Sequence, residues 1–129
     1  MFDVNHDTMA ITMHKGDTGA FTVTLSRTSG DEFVDGDTAI FEVWQRTTRL
    51  IHREFNLQPD EPTYNELGDG KFLLAFRNSD TDTWAAGNYN TEIRVSLNPV
   101  RSDGSVVDGD TVRTIIQSTL TIRDVLIQI

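Results

Sequence analysis

His6, His14 and His52 are the only histidines in the chain, and histidine is the side chain that ordinarily titrates near neutrality. A hydrolytic triad needs a nucleophile and an orienting acid beside one of them. A zinc protease would carry His-Glu-x-x-His on a helix. Neither that motif nor a Gly-x-Ser-x-Gly elbow occurs, and His14 and His52 read as exposed strand residues. The 20 acidic residues create carboxylate pairs by chance, but none sits in a motif for glycoside cleavage. Zero cysteines exclude a thiol nucleophile, a disulfide framework and a cysteine-liganded metal.

The triplet Gly-Asp-Thr recurs at Gly16, Gly36 and Gly109, each time ahead of a strand-like run. Asp35, Asp37, Asp108 and Asp110 could line a calcium site, since calcium takes hard oxygen ligands. No loop shows the calcium-binding pattern with its terminal glutamate, so the triplets read as turns. Glycine takes a positive φ, aspartate bonds the nearby backbone, and threonine opens the strand. No residue stands out as catalytic, metal-ligating or cofactor-binding, and no enzyme is expected.

Two features suit binding. Trp44 and Trp84, with Tyr64 and Tyr89, could form a stacking platform for sugar rings, although a sandwich of this size ordinarily buries a tryptophan in its core or rim. Arg46, Arg49, His52 and Arg53 form a small basic cluster suited to an acidic patch on a partner. The final residues Val125, Leu126, Ile127 and Ile129 are apolar where most chains end in a polar tail. An apolar strand at that place must be paired, buried or offered to another chain, so these four are candidate interface residues.

The elements that would position such groups are strands. Threonine, valine and isoleucine number 17, 10 and 9 against six alanines, and branched side chains fit a pleated surface better than a helix. Side chains follow a two-residue period over Ala10–His14, Ala20–Ser26, Thr38–Gln45, Leu50–Leu57, Asn88–Leu97 and Thr111–Ile122, and Gly70–Arg77 is a further strand, apolar on both faces (Phe72, Leu74 and Phe76 on one, Leu73 and Ala75 on the other) and so expected to be central or covered. Asn88–Leu97 is the cleanest, with Tyr89, Thr91, Ile93, Val95 and Leu97 in one phase. Thr38–Gln45 and Leu50–Leu57 read as a hairpin. Glu32-Phe33-Val34 reads as a brief strand-like insert in a loop, and Gln58–Asp69 as irregular, held to the core edge by Tyr64 and Leu67. A single helical turn capped by Ser79 or Asp80 fits the stretch before Gly87. A bulge or a change of sheet is expected near Gln117, where Ser118 falls in the inward phase.

The length of 129 residues fits one domain, residues 1–129. Seven to eight strands predict an all-β, antiparallel immunoglobulin-like β-sandwich, with a closed barrel as the other arrangement. Net charge is −9, which argues against a grip on nucleic acid. The N-terminus carries acids in place of a basic signal-peptide start, and no apolar run approaches a membrane span.

The order of motifs also resembles a known family. Ile11-Thr12-Met13-His14-Lys15-Gly16-Asp17-Thr18 leads to Phe21-Thr22-Val23-Thr24-Leu25, and then to Ala39-Ile40-Phe41-Glu42-Val43-Trp44. Gly70-Lys71-Phe72 is followed by Asp80-Thr81-Asp82-Thr83-Trp84-Ala85-Ala86-Gly87-Asn88-Tyr89, by Glu92-Ile93-Arg94-Val95 and finally by Val112 to Ile122. This layout, over roughly Ile11 to Val125, resembles the immunoglobulin-like domain at the N-terminus of phage baseplate upper proteins and small prophage tail-region proteins. The resemblance implies a non-catalytic virion part, assembled in the bacterial cytoplasm. Its partners would be other phage tail or baseplate proteins, with a homotrimer as the implied oligomer. In that family host-binding elements follow the domain. Here nothing follows Ile129, so the expectation is a connector or adaptor. A carbohydrate- or cell-surface-binding module using Trp44 or Trp84 is the alternative.

Overall fold

The structure, a computed structural model, describes residues 2–27, 30, 32–97 and 111–124. Nine strands and one helical turn occur among them. They are β1 (Phe2–Val4), β2 (Ile11–His14), β3 (Gly19–Thr24), β4 (Thr38–Gln45), β5 (Thr48–Asn56), β6 (Glu66–Gly68), β7 (Lys71–Phe76), α1 (Asn78–Thr81), β8 (Gly87–Leu97) and β9 (Thr111–Arg123). A six-stranded sheet has the order β1-β2-β9-β8-β4-β5, and a three-stranded sheet the order β3-β7-β6. All pairings are antiparallel except β2 with β9. The chain is an all-β sandwich. No helix among the described residues is long and apolar enough to cross a membrane.

The two strands beyond the seven runs read from the sequence are short. β1 and β6 have three residues each, too few for alternation to register. β6 did carry a turn signal. Asp69 and Gly70 join it to β7 with φ of 54° and 78°, the pair of positive values that a tight hairpin turn requires. A bulge does lie near Gln117, two residues before it. The β8–β9 register shifts between Ile93 and Arg94, whose partners are Ile116 and Thr114, so Ile115 is the extra residue and stands 40% exposed. Glu32-Phe33-Val34 forms no strand, yet Phe33 is buried and joins the core. Tyr64 is 80% and Leu67 40% exposed, so neither pins its loop. Leu57, fully buried, takes that role.

Alternation builds the core. Ala39, Phe41 and Val43 of β4 face Phe72, Leu74 and Phe76 of β7, with Tyr89, Ile93 and Val95 of β8 and Leu120 and Ile122 of β9 beside them. Phe55 stacks on Phe72 at 4.7 Å, and Phe41 meets Phe76 edge-on at 6.1 Å. Thr91 shares the inward phase of β8 and is 2% exposed, and its hydroxyl has no partner among the described residues. Thr91→Val keeps the shape and removes that buried polar group. It should raise stability by about 1 kcal/mol, read as a higher urea midpoint with unchanged slope.

The first two Gly-Asp-Thr triplets are built alike. The Asp17 carboxylate accepts the His14 N–H at 2.9 Å, and the Asp37 carboxylate accepts the Val34 N–H at 2.9 Å. The Asp17 N–H donates back to the His14 carbonyl and the Asp37 N–H to the Val34 carbonyl, both at 3.1 Å. Gly16 and Gly36 have φ of 78° and 102°. These are turns that launch a strand into the sheet, and no cluster of metal-ligating side chains occurs among the described residues. The third triplet begins outside them. Asp37 is 1% exposed, and Asp37→Ala removes its hydrogen bond from the Val34 N–H, which should cost about 1 kcal/mol in denaturant unfolding.

The helical turn at α1 falls where expected. The Arg77 N–H donates to the Asp80 carboxylate at 2.7 Å, so Asp80 acts from inside the turn and Arg77 holds the cap position. This turn clamps the crossing from β2 to β3: the Gly16 N–H donates to the Thr81 hydroxyl at 3.0 Å, and the Asn78 amide donates to the Gly16 carbonyl at 2.8 Å.

Candidate functional site

The outer face of the six-stranded sheet collects the residues with the most chemistry. Phase along β4 sends Ala39, Phe41 and Val43 inward and Ile40, Glu42 and Trp44 outward. Register then places Glu42 opposite Glu92 of β8 and His52 of β5, and Trp44 opposite Asn90. Gln117 and Thr119 of β9 continue those two rows.

Glu42 stands on this outer face and yet is 1% exposed. Three side chains close over it. Arg49 donates to Oε2 at 3.1 Å, His52 Nδ1 lies 3.0 Å from the same oxygen, and Arg94 donates to Oε1. Arg94 Nε also sits 3.3 Å from Glu92, which relieves the like-charge pairing of Glu42 with Glu92 across the strands. His52 Nε2 reaches Glu54 at 3.0 Å, so the imidazole bridges two carboxylates. Burial pushes the Glu42 carboxyl up, but the hydrogen bonds from His52 and Arg49 and the charge of Arg94 outweigh it and hold the group below its ordinary value. The hydrogen bond to Glu42, reinforced by Glu54, raises His52 above its ordinary value. This cluster ties three strands together. Among the described residues, the hydrogen bonds of the His52 ring go to Glu42, Arg49 and Glu54 and to no hydroxyl.

The basic cluster read from the sequence does not survive as a patch. Arg49 and His52 are spent on Glu42. Arg53 turns inward, 2.8 Å from Asp80, with its guanidinium donating to the Ala75 carbonyl and lying 5.6 Å from the Phe76 ring centre. The phase was legible, since Arg53 falls between Ile51 and Phe55. A groove of about 490 Å³ beside it is lined by Arg53, Tyr64, Arg77 and Asp80, and Arg53 and Asp80 are paired with each other. His14 is half-buried, 3.8 Å from Asp17.

The two tryptophans part company. Trp84 packs against the core, its ring 4.9 Å from Tyr89, whose hydroxyl donates to the Ala85 carbonyl at 2.6 Å. Trp44 stays outside the core cluster and lines an open groove of about 520 Å³ with Asn90, Glu92, Gln117 and Thr119. The interface candidates Val125, Leu126, Ile127 and Ile129 lie outside the described residues.

The fold and this face define a two-sheet β-sandwich with an ion-paired outer face. Comparison with protein-family models, with curated proteins and with solved structures finds no match.

Proposed function

We propose that this chain is a non-catalytic structural or adaptor module of a phage or prophage tail or baseplate, acting by protein–protein assembly. The tail setting rests on the residue order from Ile11 to Ile122. The immunoglobulin-like reading draws support from the crossing of the chain between sheets after β2 and from the parallel pairing of β2 with β9.

One observation carries the assembly reading. Of the four sheet edges, β1 and β6 are three residues long, and β5 is studded with Arg49, His52, Arg53 and Glu54. Short length and charge are the usual guards against edge-to-edge pairing. β3 has neither guard. Gly19-Ala20-Phe21-Thr22-Val23-Thr24 runs in unbroken register against β7, contains no charge and no proline, and leaves its other edge unpaired among the described residues. Such an edge accepts a strand from a second chain, through main-chain hydrogen bonds.

Ala20 and Thr22 are exposed, so Ala20→Lys with Thr22→Lys guards the edge without disturbing the core. Sedimentation of the native chain should show concentration-dependent association that this double variant loses. Association that persists in a folded double variant removes β3 from the interface, and a native chain that never associates, alone or with tail proteins, removes the assembly reading. The apolar segment Val125–Ile129 enters the same experiment through Ile127→Asp with Ile129→Asp.

A further inference from the structure

We propose that the Trp44 groove on the outer face of the large sheet is a binding site for a neutral saccharide. This site is independent of the β3 edge, which belongs to the other sheet.

Strand register builds the site. Trp44, Asn90 and Thr119 stand in one row across β4, β8 and β9, and Glu92 and Gln117 in the next. Neighbouring strands lie about 4.8 Å apart, close to the width of a pyranose ring, so one ring on the indole brings its hydroxyls over the adjacent strand. An indole face with planar amides beside it is the chemistry that recognises a sugar. The apolar C–H face of the ring stacks, and equatorial hydroxyls meet groups that both donate and accept.

The polar groups here are uncommitted. Asn5, Asn56, Gln58, Asn78 and Asn88 each spend a side chain on the protein's own backbone or side chains. Among the described residues, no hydrogen bond engages the side chain of Asn90, Gln117 or Thr119, and all three are exposed. Glu92, by contrast, is held in place. Arg94 Nε lies 3.3 Å away and the Thr114 hydroxyl donates to it at 3.4 Å, so its carboxylate is pre-set as an acceptor for a ligand hydroxyl. Beside it, Glu42 ties β4, β5 and β8 together on the same face.

Charge selects the ligand class. The groove carries one acid, Glu92, and one base, Arg46, in a chain of net charge −9. A uronic or sialic acid would meet a repulsive overall field with no surplus of cations in the site, whereas a neutral chain is unaffected. The open form of the groove suits an extended oligosaccharide more than a small enclosed ligand.

The test is an array of neutral and acidic oligosaccharides probed with the native chain and with Trp44→Ala, Gln117→Ala and Trp84→Phe. Neutral members should bind the native chain, with affinity falling about tenfold or more in Trp44→Ala and measurably in the exposed-site variant Gln117→Ala. Trp84→Phe should bind as the native chain does. For the best array member, tryptophan emission should shift on saturation in Trp84→Phe, where Trp44 is the remaining indole. No binding by the native chain, binding confined to acidic glycans, or binding unchanged in both Trp44→Ala and Gln117→Ala overturns the proposal.

Discussion

Replacing Gly70 with alanine is expected to cost about 2–5 kcal/mol, a large share of the stability of a domain this size. Two penalties add. Gly70 has φ of 78°, a left-handed conformation that a Cβ disfavours by about 1–2 kcal/mol. A Cβ there would also lie 2.3 Å from the Leu25 carbonyl oxygen and 2.8 Å from the Phe33 ring. Neither neighbour can easily yield, because the Leu25 N–H donates to the Gly70 carbonyl at 2.9 Å and the Gly70 N–H donates to the Leu57 carbonyl at 3.0 Å. One residue thus fastens the turn before β7 to the ends of β3 and β5. Gly30 supplies the control. Its φ is 79°, but nothing among the described residues lies within 4 Å of the Cβ position. Gly30→Ala should lose only the conformational penalty of about 1–2 kcal/mol. Urea unfolding of both variants separates the contributions, and equal losses would show that the close approach at Gly70 carries no energy.

Glu42→Gln is expected to cost about 2 kcal/mol and to remove a specific pH dependence. Removing one partner of a fully buried ion pair costs about 3–5 kcal/mol. The cost is smaller here, because Arg49, His52 and Arg94 keep 48%, 32% and 31% of their side chains in solvent and screening weakens each contact. The pH profile follows from the two shifts. His52 is raised above 6.5, so its contribution is complete below that value and is lost as pH rises through the higher folded value. Glu42 is lowered below 4.5, so its contribution is complete above that value and is lost as pH falls through the lower folded value. This cluster therefore stabilises most between 4.5 and 6.5. In Glu42→Gln the alkaline loss should shrink, and the His52 ring protons should titrate closer to 6.5 by NMR. A His52 titration unmoved by Glu42→Gln would place the cause of its shift elsewhere.

Particular elements show how far local pattern reached. β4 was bounded to the residue, and β8 and β9 nearly so, because each is long enough for a two-residue period to show despite the bulge at Ile115. The helical turn at α1 was legible because Asp80 can satisfy an orphan N–H at its start. β1 left no trace, as three residues carry no period. The Asp69-Gly70 turn was marked by residues that tolerate positive φ, and the hairpin from β6 to β7 could have been read from it. The outward phase of Glu42 was visible, but its burial was not, because covering it takes cross-strand register on both sides, from Arg49 and His52 of β5 and from the distant Arg94 of β8.

By itself, then, the order of residue types determined an all-β chain, the phase of its long strands, the turns at Gly16 and Gly36, and the inward set that makes the core. Those properties depend on neighbours two to four positions apart, where side-chain direction and backbone torsion are decided. Only the tertiary structure decided which strands share a sheet, that β3 is left unguarded, that Arg53 is drawn in and Arg49 spent, and that Trp44 faces a groove while Trp84 joins the core. Those outcomes depend on cross-strand register between segments up to 109 positions apart, as from Ile11 to Leu120. Register follows from the summed fit of many side chains and carries no signature in any one stretch.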